Sequence, residues 1–343
     1  MLDEDAASEQ IFRTTITLER VVSKTLNFQV GYSHSQSLRT VRTANINAPL
    51  GGTYNPAFPN SGVRPFGSQA GNIFQYQSNG HSRSESFYIS ANGKIAKKVD
   101  FWANYSWNTY RATDSGTSGS PTDAYDFSQE WGRGGFDVRH WFSVNASYST
   151  KSGFSVNTFI IANSGPPFNI TTGRDTNGDT SFSERPAFAT DLSKPGVVIT
   201  PFGALDPNPG PGQTIIPRNF AQGPTFFSVN FGASKAIKFG RAIEPKAPPA
   251  AAAGTTQTVN AAAASGCYGL SKPATRPPVQ RPYTLVFGVY VSNALNHTNA
   301  STPVGNMTSP FFLRSTSTSN FIFLVRAAEV APAATARLWP VSG

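Results

Sequence analysis

The densest run of metal-ligating oxygen in the sequence is GRDTNGDTSFSERP, residues 173–186. Asp175, Asn177 and Asp179 stand at i, i+2 and i+4, and Gly178 supplies a turn between them. Carboxylate and amide oxygens at that density suit a hard cation such as calcium, with Glu184 as an extra ligand. The pattern is not an EF-hand. Its glycine falls one place before the third ligand rather than one after it, and position 12 would be Pro186. Asp and Asn beside Gly are also what an ordinary surface turn uses. The expectation is calcium at Asp175, Asn177 and Asp179, and no other cofactor.

Other reactive residue types do not assemble into a site. His34, His81, His140 and His297 are far apart and show no zinc-motif spacing. Residues 147–153, SYSTKSG, bring Ser and Lys close but without the S-x-x-K spacing, and they read as a turn. GQTIIPRNFAQGP has no phosphate-loop pattern. Cys267 is alone, which excludes an intramolecular disulfide and a cysteine metal cluster. No nucleophile, base and acid can be grouped, so the chain is expected not to be an enzyme. The 28 Lys+Arg against 19 Asp+Glu give +9, but only Lys94, Lys97 and Lys98 cluster, so nucleic acid is not an expected partner.

The elements that would carry these residues are strands. In DVRHWFSVNASYSTKSGFSVNTFIIANSG, residues 137–165, Val138, Phe142, Val144, Ala146 and Tyr148 share one face against Arg139, Ser143, Asn145, Ser147 and Ser149. After a Thr-Lys-Ser-Gly break, Phe154, Val156, Ile160 and Ala162 resume the apolar face; Trp141, Phe159 and Ile161 interrupt the polar one. The same period of two recurs at Phe12, Ile16 and Leu18; at Leu26, Phe28, Val30 and Tyr32; at Phe87, Ile89 and Ala91; and at Phe101, Ala103, Tyr105 and Trp107. It returns at Phe227, Val229, Phe231 and Ala233, and at Tyr283, Leu285, Phe287, Val289 and Val291. A last candidate, 319–327, is apolar but alternates poorly. Charged residues are only 14% and helix formers are scarce, which favours an all-β chain.

The strands number about eight to nine at roughly 9–13 residues each, longer than the usual mode of about 5–6 and suited to tilted strands crossing a bilayer. Short turns near 22–24, 92–98 and 150–153 alternate with long loops at 39–83, 112–136, 164–223 and 295–318. That is the rhythm of outer-membrane barrels, with short periplasmic turns and long extracellular loops. No apolar run is long enough for a transmembrane helix. The start, MLDEDAASEQ, is acidic and has no apolar h-region, so no signal peptide is expected there. The chain divides into a disordered N-terminus (1–10), a strand-bearing region (11–327) with a mobile Ala/Pro/Gly-rich insert (240–281), and an atypical tail (328–343).

The apolar faces could meet a second sheet or lipid. Strand length, loop length and a polar face of Ser, Asn, Gly and Thr rather than Lys and Glu favour lipid. Tyr32, Trp107, Tyr110, Trp141, Tyr148 and Tyr283 near strand ends fit an interfacial belt. Loop aromatics such as Tyr54, Phe58, Phe66, Phe168, Phe182 and Phe188 are expected to fold down on their own loops rather than form a binding surface.

Four phrases in order resemble a known family: DVRHWFSVNASY, NTFIIANSGPPFNITTGRDTNGDTSFSERPAF, NFAQGPTFFSVNFGASKAIKFG and RPYTLVFGVYVSNALNHTNASTPVGNMTSPFF. They are similar to the C-terminal part of TonB-dependent outer-membrane receptors, in particular the Oar-like group of acidobacteria, over about residues 10–312. The resemblance implies part of an antiparallel transmembrane β-barrel of about 22 strands with long extracellular loops. It also implies outer-membrane location, an N-terminal plug, uptake powered through TonB, and an extracellular substrate. Relative to that pattern the signal peptide, TonB box, plug and upstream strands are expected to lie outside these residues, and the match dissolves after about Leu313. The tail RAAEVAPAATARLWPVSG is expected to reflect truncation or a shifted reading frame. The alternative reading is a secreted or surface-attached all-β binding module, for example for carbohydrate; the direction of the apolar faces separates the two.

Overall fold

The structure, a computed structural model, describes residues 1–96, 98–113, 121–241 and 281–319. The strands in chain order are β1 (Gln10–Ser23), β2 (Leu26–Asn45), β3 (Phe74–Ile95), β4 (Val99–Ala112), β5 (Gly132–Arg133), β6 (His140–Ser149), β7 (Phe154–Asn163), β8 (Pro167–Phe168), β9 (Ala187–Phe188), β10 (Val198–Thr200), β11 (Gly203–Asp206), β12 (Ala221–Gln222), β13 (Phe226–Phe239) and β14 (Tyr283–Val291). The long ones form one antiparallel sheet in the order β1-β2-β3-β4-β6-β7-β13-β14, with β5 paired to β4. Two small sheets, β10-β11-β9 and β12-β8, lie within the long connection between β7 and β13.

The alternation seen in the sequence is register-locked across the sheet. Val30 pairs with Ile89, Ile89 with Tyr105, Tyr105 with Phe142, Phe142 with Ala162, and Ala162 with Phe227. One step toward the short turns, Phe28, Ala91, Ala103, Val144, Ile160 and Val229 form the next row. A slip of one residue in any pair would turn that strand's apolar set to the other face. The pattern therefore excludes odd-residue slips, and the short turns set the rest of the register.

The expected barrel portion is corrected by the pairing itself. The sheets are not closed into a barrel: β1 pairs with β2 and β14 with β13, and among the described residues the two end strands do not pair with each other. All residues of β1 and of β14 are exposed. Closure depends on strand number, tilt and shear acting together, none of which is encoded in the period of one strand. The fold class is all-β, built of several antiparallel sheets.

Two strands also run further than the alternation indicated. β2 continues to Asn45 and β3 begins at Phe74, so an extended two-stranded arm replaces most of the ends of the expected 39–83 loop. Its residues are mostly polar, and register shifts at Leu38/Thr40 and Thr40/Arg42 break the period-two signal. The chain start lies along this arm, where the Met1 amino group donates to the Phe74 carbonyl at 2.7 Å and the Asp3 N–H to that of Tyr76 at 2.9 Å. The expected strand at 319–327 lies, beyond Ser319, outside the described residues, as do residues 242–280 of the Ala/Pro/Gly-rich insert and the tail at 328–343.

Candidate functional site

The sheet has two chemically distinct faces. Ile16, Tyr32, Phe87, Trp107 and His140 form the row of the apolar face nearest the long loops. Tyr105 Oη and His140 Nδ1 stand 2.9 Å apart, so His140, in the apolar-face row, is tied to an aromatic, as an interfacial belt allows. Further toward the loops the same face turns charged, with Arg83 Nε donating to Glu85 at 3.0 Å and His34 3.8 Å from Glu85. The apolar band thus ends at a row of aromatics.

The opposite face is a wall of hydroxyls and amides. Ser86 donates to Asn108 at 2.7 Å, Ser90 to Gln29 at 3.3 Å, and Thr17 and Tyr88 are joined at 3.2 Å. Ile161, which interrupts the polar pattern, is fully buried. Near the loops this wall borders a cavity of about 560 Å³ lined by Ser106, Asn108, Phe136, Val138, Trp141 and Pro166. Its volume lies in the range of small-molecule pockets. Phe136, 89% exposed, is the one large side chain there left almost wholly to solvent. Sequence reading placed Trp141 on the polar face but did not anticipate Phe136, which stands between Gly135 and Asp137 outside any alternating stretch.

The long connections form an ordered cap at one end of the sheet. Phe168, Ile170, Leu205, Ile216 and Ala221 are its buried core, with Phe188, Phe202, Phe220, Met307, Phe312 and Leu313 packed around them. Phe168 meets Phe202 edge-on at 5.9 Å, and Phe188 meets Phe220 at 5.3 Å. The loop aromatics divide: Phe168 and Phe188 do fold into this core, whereas Phe58, Phe66 and Phe182 are exposed.

Asp175, Asn177 and Asp179 come together in one turn within the cap. Asp175 accepts the N–H of Gly178 at 2.6 Å and of Thr180 at 2.9 Å, Asn177 Oδ1 that of Asp179 at 3.0 Å, and Asp179 Oδ1 that of Ser181 at 2.7 Å. Gly178 has φ +75°, which a residue without Cβ adopts freely. The turn is held from the arm between β2 and β3: Arg64 donates to Gly178 O at 3.0 Å, Asn45 to Asp179 O at 3.3 Å, and Asn72 to Thr180 at 2.7 Å. Glu184 is buried beside it and accepts the Thr176 N–H at 2.7 Å. Burial pushes the Glu184 carboxyl up to about 7, with the charges of Asp179 and Asp175 adding to the rise. Burial likewise pushes Asp179 up to about 6. Next to Glu184, Arg185 reaches Glu130 at 3.4 Å and the Gln129 carbonyl at 2.9 Å. The remaining histidines are dispersed: His81 stacks on Trp131 and His297 meets Phe227 edge-on.

Residues 1–244 match the protein family described as "Outer membrane beta barrel domain". No curated protein matches the chain. Among solved structures, the outer membrane transporter YddB from Escherichia coli is similar with a TM-score of 0.42 at 9% identity, covering 67% of this chain and 26% of that one. The chain thus spans about a quarter of that transporter's length. The family match covers more than half of the sequence, so the chain belongs to the outer membrane β-barrel domain family, resides in the outer membrane and is not a catalytic enzyme.

Proposed function

We propose that this chain serves uptake of a solute across the outer membrane, as part of a TonB-dependent receptor of the Oar-like kind. The observation that carries this reading is the separation of faces: an apolar band ending in an aromatic row on one side, and a wall of Ser, Asn, Thr and Gln on the other. A surface rich in neutral hydroxyls and amides offers a polar solute many exchangeable, individually weak hydrogen bonds, which favours passage over tight retention. Outer-membrane lipid is the partner of the apolar face. The TonB system and the plug are partners supplied from outside these residues. The cavity at Ser106, Asn108, Phe136 and Trp141 is where the solute would first meet the wall.

The test is metabolite depletion from the growth medium by cells carrying or lacking the coding region of this chain. At least one solute should stop being depleted when the region is removed, and the same solute when TonB is removed. Unchanged depletion of every solute, or uptake indifferent to TonB, would overturn the reading.

A further inference from the structure

We propose that a cavity on the polar wall, at its loop end, binds a short peptide by the peptide's two charged termini. The cavity measures about 450 Å³ and is lined by Glu9, Arg13, Ser35, Ser37, Ser82 and Ser84 among others. Strand pairing builds it. Arg13 pairs with Ser35 and Ser35 with Ser84, while two residues nearer the long loops Ile11 pairs with Ser37 and Ser37 with Ser82. These rows continue the wall that carries Ser86 and Asn108. Ser37 and Ser82 are 9 and 8% exposed, yet among the described residues their hydroxyls have no hydrogen-bond partner. A hydroxyl withdrawn from water without a partner is disfavoured, so these two are groups that a bound ligand would satisfy. Arg13 and Glu9 are exposed, and among the described residues neither takes part in an ion pair.

Two opposite charges in one cavity, unpaired with each other and separated by neutral hydroxyls, select a solute that is itself bipolar. The Arg13 guanidinium offers a planar fork that a carboxylate fills with two hydrogen bonds. Glu9 accepts from an ammonium group. Along an extended chain the step from Glu9 to Arg13 is about 13 Å. The termini of a single amino acid lie too close together to meet both, whereas those of a peptide of about three to four residues match that span. The serine hydroxyls both donate and accept, as the alternating C=O and N–H groups of a peptide require. Ile11 and Val41, also in the lining, give small apolar side chains a place to rest. A neutral glycan would serve the hydroxyls but leave both charges unused. The inference deepens the uptake reading and rests on it, the peptide being the solute to be carried.

The experiment is calorimetric titration of trialanine into the full chain in detergent, beside N-acetyl-trialanine, trialanine amide and maltotriose. Trialanine should bind saturably, and blocking either end should weaken binding by about tenfold or more, since each block removes a charge-assisted contact. This end preference is read on the unmutated protein and needs no variant to fold. Arg13→Gln should then bind trialanine and its amide alike, and Glu9→Gln should bind trialanine and its N-acetyl form alike. No saturable binding of trialanine, equal affinity for the blocked peptides, unaltered end preference in the variants, or tighter binding of maltotriose would each overturn the proposal. Failure here, with depletion of some solute still dependent on TonB, would leave the uptake reading standing; peptide binding with uptake indifferent to TonB would overturn that reading alone.

Discussion

In the sheet, Ile16, Leu18, Phe287 and Val289 are 67, 72, 58 and 70% exposed, whereas in the loop cap Ile170, Leu205 and Ile216 are 0, 0 and 1% exposed. The same residue types thus face opposite surroundings within one chain. The cap behaves as a small water-soluble domain that hides its apolar side chains in a common core. The sheet gathers its apolar side chains on one face and its hydroxyls and amides on the other, the arrangement that a lipid-facing sheet requires. Lipid and water act on neighbouring segments, and each segment's polarity pattern records which of them it meets.

The comparison breaks most sharply at the sheet edges. Among the described residues nothing pairs with the outer edges of β1 and β14, and each unpaired backbone group in hydrocarbon costs several kcal/mol. The 343-residue chain alone, refolded in detergent and added to planar bilayers, should therefore give no stable, uniform channels. Uniform conductance would show that β1 and β14 meet after all. The next largest effect belongs to the cap. Leu205→Ala should cost about 2–5 kcal/mol of local stability, since it opens a void in a fully buried cluster. Loop 164–225 should become protease-sensitive while heat-modifiable gel mobility, which reports the sheet, stays unchanged.

The two faces of β14 sharpen the comparison further. Phe287→Arg, in the middle of the apolar side, should impair membrane assembly by about 2–4 kcal/mol. Gly288→Arg should be tolerated better, because a Cβ there meets only ordinary neighbours, Ser234 Cβ at 3.7 Å and Ala233 O at 3.8 Å. Equal assembly of both variants on heat-modifiable gels would refute the assignment of faces. The smallest effect is expected at the aromatic row. Tyr105→Phe loses one hydrogen bond to His140 and should lower the denaturation midpoint by an amount corresponding to about 0.5–1.5 kcal/mol. A larger loss would mean that the pair holds more than its own row together.

Much of this molecule can be read directly from the chain. Alternation at Phe28, Val30 and Tyr32, at Ala103, Tyr105 and Trp107, and at Phe142, Val144 and Ala146 specifies strand and face, because a slip of one residue would turn each apolar set to the other side, and the short turns then set the register. The turn residues of 173–186 were likewise legible, since Asp, Asn and Gly favour such a turn wherever it lies.

What the sequence alone could not determine is whatever depends on distant segments at once. Sheet closure is one case: it is a property of all strands together, and the open order from β1 to β14 appears only in the pairings among the described residues. The cap is another. Ile170, Leu205, Ile216 and Phe312 are separated by long polar stretches without periodicity, and only the tertiary structure brings them into one core. The surroundings of Glu184 follow the same rule. Its carboxyl is buried in a cavity lined also by Arg185 and by Asp123 and Asp126, some sixty residues away along the chain. Local polarity patterns are written residue by residue, whereas closure, burial and electrostatic environment are set by which remote groups the fold places side by side.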